Sequence, residues 1–388
     1  MQGLTAPVLV HERDLSVIPS DMELALMFAI TEYNKHRHEQ YKEGTYEFFS
    51  KILWPIAFIQ AGSEKYIGID ELLLCFDLEF KKTKFLAPNN PLFSTLAMEC
   101  GDFHSHLDLL TRCIEELNVP LKEKFKIKGI LNPEIIHGLV PLIKLATDTP
   151  INAVKLEPII STDELIAITN SYNQILKSIE ETISKWHSLQ QIIEQKFEKW
   201  HSSYAASCSS AEQKQIKEKY DELNKKILDK IWDCRNEIDY LLHWALSGHV
   251  LNLVVPITEI WIPMYLAGII LPNNTRKFLL SPPSIISTEL KTIRWLPIDS
   301  FHSSFNSIFK ERVEAILDAQ TPRSQKIKSI CLTQNLFLKE EANNLIVRGF
   351  DRIREKQLIE NKHIEIIQQE WQKAVSILKK RETNLIME

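Results

Sequence analysis

The stretch ECGDFHSHLDLLTRC at positions 99–113 carries Asp102, His104 and His106 in a D-x-H-x-H arrangement. Carboxylate and imidazole together hold divalent cations, and a bound cation makes a nucleophilic hydroxide from water near neutral pH. At the end of a strand, residues two apart leave on the same side and can share one ion. On a helix they diverge. There only i,i+4 pairs converge, such as Asp102 with His106, Cys100 with His104, or His104 with Asp108.

D-x-H-x-H resembles the first metal motif of the amidohydrolases and the PHP-type phosphoesterases. That resemblance covers these five residues alone, and it implies a metal-dependent hydrolase with Asp102, His104 and His106 as ligands. The other motifs of those families are absent from the chain. The local pattern also points elsewhere. Leu96, Cys100, Phe103, Leu107, Leu110, Ile114 and Leu117 recur in steps of three and four, which predicts a helix near 92–117. A helix whose polar face carries histidines is the favoured reading. His137, in NPEIIHGLV, has no neighbouring acid, and His36 and His38 form no constellation.

Other chemistries lack their residues. Ten glycines in 388 residues is under half the usual share of about 7%. Phosphate loops and nucleophile elbows spend glycine on tight turns, and none of G-x-G-x-x-G, G-x-x-x-x-G-K-[ST] or G-x-S-x-G occurs. No cofactor is implied. Two basic clusters remain, Lys81-Lys82-Lys84 and Lys122-Lys124-Lys126-Lys128. In LKEKFKIKG the lysines alternate with Glu, Phe and Ile, as on one face of an edge strand, where lysine guards against aggregation. The functional reading is contact with a phosphate backbone. A net charge of −5 gives no global pull toward nucleic acid.

Helices dominate the elements that must position these residues. Ser20 with Glu23, Ser161 with Glu164 and Ser210 with Gln213 read as capping boxes, and Asn132-Pro133 as another helix start. Leu165, Tyr172, Ile179, Trp186, Ile193 and Trp200 recur every seven residues; after HSSYAASCSSAEQ the pattern resumes through Ile216, Tyr220, Leu223, Ile227, Ile231, Cys234, Ile238 and Leu241. Two such runs around a short polar break predict an antiparallel coiled-coil hairpin with arms of roughly 55 Å. Its bulky Trp186, Trp200 and Tyr172 predict that the base of the hairpin packs on other elements. From 337 to 380 a long helix is expected, with a break near Gly349.

The apolar window EIWIPMYLAGIIL at 259–271, extended back through VLNLVVPIT to residue 250, reaches the length of a membrane span. Pro256, Glu259 and Pro263 argue against insertion. It echoes ILWPIAFIQAG at 52–62: each has a proline, an apolar run and a turn cluster (Ala61-Gly62-Ser63-Glu64 and Pro272-Asn273-Asn274-Thr275). Each then resumes with lysine, aromatic and aliphatic, at Lys65-Tyr66-Ile67 and Lys277-Phe278-Leu279. Two β-hairpins follow, with prolines at strand starts or edges.

The predicted architecture is mainly α with a small β component (α+β). A head holding two β-hairpins spans 1–160 and 249–298, the coiled-coil hairpin 161–248, and a helical region 299–388. The scattered cysteines suit a reducing, cytoplasmic setting, and the N-terminus does not read as a signal peptide. By elimination the expected function is a non-catalytic adaptor binding a protein partner through helical surfaces, with Trp200, Tyr204 and Trp371 as contacts. Self-association through the coiled coil is the other form of that reading. A nucleic-acid-associated protein using the lysine clusters and a D-x-H-x-H metal hydrolase are the alternatives.

Overall fold

A computed structural model describes residues 3–62, 64–74, 77–84, 103–116, 121–148, 154–252, 257–287, 295–301, 303 and 305–387. The N-terminal part runs β1 (Leu4–Thr5), β2 (Leu9–His11), α1 (Ser20–Arg37), β3 (Thr45–Gln60), β4 (Lys65–Asp70) and β5 (Asp77–Lys84). Next come α2 (Phe103–Glu116), β6 (Leu121–Lys128), α3 (Pro133–Lys144) and β7 (Thr147–Asp148). The two long helices are α4 (Thr162–Ser203) and α5 (Ser210–His243), followed by β8 (Ala245–Ser247) and the short α6 (Gly248–Leu251). The chain closes with β9 (Ile257–Ile270), β10 (Arg276–Ser281), β11 (Ser284–Ile286), β12 (Ile298–Ser300), α7 (Glu311–Asp318), α8 (Pro322–Thr333), α9 (Glu340–Glu355) and α10 (Asn361–Met387). This is the α+β architecture expected.

Both hairpins lie in one seven-stranded sheet whose two central strands are β3 and β9. They pair antiparallel along almost their whole length, with Trp54 opposite Ile262. EIWIPMYLAGIIL is therefore the middle of a sheet. No helix among the described residues is long and apolar enough to cross a membrane. The window lacks period-two alternation because helices cover both faces of its strand.

The prolines are not at strand starts. Pro55 and Pro263 sit inside the two central strands, and their outer edges explain how. The Pro55 carbonyl accepts the Glu71 N–H at 3.2 Å, so its nitrogen faces the same edge, away from β9. On that edge Leu53 bridges Lys155, while β4 pairing begins at Ile56. Pro263 likewise falls between Trp261, which pairs with β1, and Tyr265, where β10 begins. Each missing N–H falls at the joint between two edge partners, where no ladder bond is owed.

One sheet face is divided between two helical covers. Phe49, Tyr265, Ala267 and Ile269 pack under α1, α9 and α10, while Ala57, Ile59, Ile67 and Ile69 pack under the base of α4 and α5. The opposite face, with Trp54, Phe58, Ile262 and Met264, is covered by α3, α7 and α8.

Two local expectations change. Ser20 makes no cap, because Pro19 takes that position and Glu23 is turned into the core. There Glu23 accepts from Tyr265 Oη at 2.8 Å and pairs with Lys51 at 2.7 Å. The C-terminal helix breaks after Glu355, not at Gly349. A Cβ on Gly349 would lie 2.2 Å from the Asp21 carbonyl oxygen, so this glycine lets α9 cross α1 at close range.

The long helices form a stalk. Ser161 and Glu164 make the expected capping box for α4, whereas α5 is capped one residue earlier than predicted, by Ser209 and Glu212. All six seven-spaced residues, Leu165 to Trp200, are buried. The base packs on the sheet through Tyr172 as expected, and α2 covers the stalk toward its tip as well: its Leu107, Leu110 and Ile114 join Trp186 and Trp200 in one core. The ion pairs Asp108–Lys219 and Glu115–Lys226 show that α2 runs parallel to α5.

Candidate functional site

At the far end of the stalk, rings interlock. Phe197 and Tyr220 stack at 4.0 Å between centroids, and Phe103 stacks on Trp200 at 5.6 Å. Trp200 is thus a brace inside the three-helix tip. Tyr204, four residues on, ends α4 and is 61% exposed. Its backbone is held hard: its N–H donates to Trp200 O at 2.8 Å, and its carbonyl accepts from Ser207 N at 3.0 Å and Ser207 Oγ at 2.7 Å. Gln213 closes the turn from α5 by donating to the Ala205 and Cys208 carbonyls. The tip presents an aromatic side chain from a pre-ordered backbone.

Trp371 lies elsewhere, in the head. It is 1% exposed, packs on Phe28, Phe49 and Phe337, and donates its indole N–H to Asn343 Oδ1 at 2.8 Å. Trp232, not among the expected contacts, is the most exposed large apolar side chain among the described residues at 64%. Leu228, one turn earlier, is exposed beside it. Both stand off the seam because Ile227, Ile231 and Cys234 hold the buried positions. A tryptophan out of phase with the buried repeat was the available signal.

In the D-x-H-x-H stretch, Asp102 lies outside the described residues. His104 Nε2 is 2.8 Å from Lys219 Nζ. His106 is buried with both ring nitrogens unpartnered, stacked near Phe103. Burial, then the nearby Lys196 charge, lowers its pKa, so it stands neutral. The two histidines leave the helix in different directions, as i,i+2 spacing requires. Among the described residues no group of three His, Cys, Asp or Glu could hold a metal ion.

The lysine clusters come together. β5 and β6 form a separate two-stranded ribbon that places Lys81 opposite Lys124, Lys82 opposite Glu123, Thr83 opposite Lys122 and Lys84 opposite Leu121. Nearer the head, Asp77 is opposite Lys128 and Glu79 opposite Lys126. Lys126 Nζ is 2.8 Å from Asp77 and 3.5 Å from Glu79.

The head holds buried acids that the sequence did not announce. Glu71 is 5% exposed with Oε2 unpartnered; burial, then the charges of Glu259 and Asp70, pushes it up to about 8. Glu259 is raised too, chiefly by burial. Lys155 lies over the Trp261 ring at 5.0 Å. Beside Arg37 and Asp299 a cleft of about 60 Å³ opens, far below the roughly 300 Å³ at which small-molecule sites begin.

Comparison of the chain with protein-family models, curated proteins and solved structures finds no match.

Proposed function

We propose that this chain is a non-catalytic adaptor that grips a protein partner with the tip of its helical stalk. The observation that carries this reading is Tyr204, an exposed aromatic ring on a backbone already fixed by hydrogen bonds. Such a side chain loses little conformational entropy on binding, and buried tyrosine and tryptophan anchors contribute about 2 kcal/mol or more at interfaces. A stalk of about 63 Å, from 42 residues in α4 at ~1.5 Å each, holds that anchor well away from the head. Trp232 and Leu228 offer a second contact along its flank. Trp200 and Trp371 act behind these contacts, as packing. Among the described residues Cys113, Cys208 and Cys331 are free thiols, which suits the reducing cytoplasm as the place of work.

The test is quantitative affinity purification of the full chain from its native cells, after nuclease treatment, beside Tyr204→Ala and Trp232→Ala. One protein should remain bound across salt concentrations and fall at least tenfold with Tyr204→Ala, while circular dichroism is unchanged. A chain that emerges alone at every salt, or a partner indifferent to both substitutions, sinks the adaptor reading.

A further inference from the structure

One face of α5 is left bare. Its inner side is buried through Ile227, Ile231 and Cys234, and α2 runs along the edge that carries Lys219 and Lys226. At about 100° per residue, Trp232 points away from both. Between 225 and 239 the residues within about 60° of Trp232 are Lys225, Leu228, Asp229, Arg235, Asn236 and Asp239, and all are exposed. Lys225, Trp232 and Asp239 recur at seven-residue spacing, so they share one line along this face. A cation and an anion thus stand at equal distances on either side of a tryptophan. Among the described residues neither Lys225 nor Asp239 makes an ion pair, whereas the adjacent Lys226 pairs with both Glu115 and Glu222.

We propose that this face binds the same face of a second copy of the chain, antiparallel, about a twofold axis through Trp232. Each residue then meets the one equally far from Trp232 on its other side. Trp232 stacks on its own counterpart, Lys225 meets Asp239 of the copy, and Asp239 meets Lys225. Beside this line Asp229 accepts from the Asn236 amide of the copy. Arg235, whose guanidinium is 3.3 Å from His187 Nε2 in its own chain, lays its aliphatic stem over Leu228 of the copy.

The order of charge selects both the occupant and the direction. In a parallel pair Lys225 would face Lys225, Arg235 would face Arg235 and Asp239 would face Asp239, and like charges so placed repel. Antiparallel, no like charges are opposed. An unrelated partner would have to carry this order in reverse around an aromatic ring; a second copy already does. Antiparallel pairing also sets the heads at opposite ends. At ~1.5 Å per residue from Trp232 to Trp244, the C-cap of α5, they stand about 36 Å apart along the stalks. A contact of about four helical turns falls short of the roughly 1,200 Å² at which stable interfaces begin, so association is in the micromolar range. This inference goes beyond the adaptor reading, which rests on Tyr204: it fills the flank and leaves the tip free.

The experiment is sedimentation equilibrium of the full chain at low salt, from about 1 to 100 μM. A monomer–dimer equilibrium is expected, and Trp232→Ala should weaken it at least tenfold. Lys225→Asp and Asp239→Lys should each weaken it about tenfold, because each sets like charges against one another in two places. Combined in one chain they should restore the wild-type constant. All these side chains are exposed, so circular dichroism and Tm should not move. Tyr204→Ala should dimerise as wild type. A chain that is monomeric at the highest concentration overturns the inference. So does a dimer indifferent to Trp232→Ala or to the single reversals, or a double variant as weak as either single one. A monomeric chain that loses its cellular partner on Trp232→Ala would give the flank to that partner, and the adaptor reading would survive without this inference.

Discussion

Trp54 faces Ile262 across the β3–β9 pair, and the two hairpins are arranged symmetrically about that point. Pro55 follows Trp54 and lies opposite Trp261; Pro263 follows Ile262 and lies opposite Leu53. Outward from the pair, the Leu53 carbonyl accepts Leu156 N–H at 3.1 Å and the Trp261 carbonyl accepts Ala6 N–H at 3.0 Å. Both hairpin turns close in the same way, Ala61 N–H to Lys65 O at 2.7 Å and Leu271 N–H to Thr275 O at 2.9 Å. Their fourth residues, Glu64 and Asn274, both have positive φ. The head is a pseudo-twofold pair of hairpins, with the stalk leaving between them in sequence.

The symmetry is broken chemically at its centre. Trp54 Nε1 donates to Asp70 Oδ1 at 2.8 Å, and Asp70 also accepts from the Leu72 and Leu74 amides. Ile262 has no such polar handle. Trp54→Phe should therefore cost about 1.5–3 kcal/mol, the loss of a hydrogen bond to a buried charged group. Ile262→Val should cost only about 1 kcal/mol. Paired urea unfolding midpoints at constant m-value measure the difference.

Gly349→Ala should destabilise the head by about 2–4 kcal/mol through overpacking and displaced backbone. On an exposed helix the same change gains up to about 1 kcal/mol. Here the added methyl meets the Asp21 carbonyl oxygen at 2.2 Å and Ala25 Cβ at 2.9 Å. Thermal melts of the full chain decide the sign, and a stabilised variant would mean that α9 and α1 part at little cost.

What could be read in advance was what neighbours in sequence decide. The hairpins were legible from the echo of Trp54-Pro55 and Ile262-Pro263. The stalk was legible from burial every seven residues, and α3 from Asn132-Pro133, whose Asn132 Oδ1 does accept the Glu134 N–H at 2.8 Å. Distant partners were not legible. Glu23 looked like a cap because Tyr265, 242 positions away, gives no local sign of claiming it. The two lysine clusters looked separate because α2 lies between strands that pair. The bulk of Trp186 and Trp200 marked the seam as more than two-stranded, but nothing local placed α2 against it toward the tip.

The part of stability governed by two buried acids should fall as pH rises from about 5 to 8.5. Glu71 is raised from 4.5 to about 8 and Glu314 from 4.5 to about 7, both chiefly by burial. Below pH 4.5 each is protonated in folded and unfolded chains alike. Above it the unfolded chain releases protons that the fold retains, so the fold loses ground until the folded groups also ionise. Each tenfold gain in proton affinity on folding corresponds to about 1.4 kcal/mol, so the loss is on the order of several kcal/mol. Glu71→Gln should flatten this slope and be more stable than wild type at pH 8.5. Urea titrations at half-unit pH steps are the measurement; an unchanged slope would show that Glu71 is ionised in the fold.

His106→Leu should stabilise the stalk by about 1–2 kcal/mol near neutral pH, because it removes a buried polar ring with no hydrogen-bond partner. It should also change the acid limb. Burial and Lys196 depress the His106 pKa below 6.5, so the unfolded chain takes up a proton first and wild-type stability is lost as pH falls through that value. The leucine variant cannot titrate, and its stability should hold over the same interval. A metal centre on Asp102, His104 and His106 demands the opposite: His106→Leu would then lower both bound metal and Tm. Elemental analysis with melts at pH 5.5 and 7.5 separates the two. A variant that melts earlier and has lost a stoichiometric metal would make this stretch a site rather than a helix face.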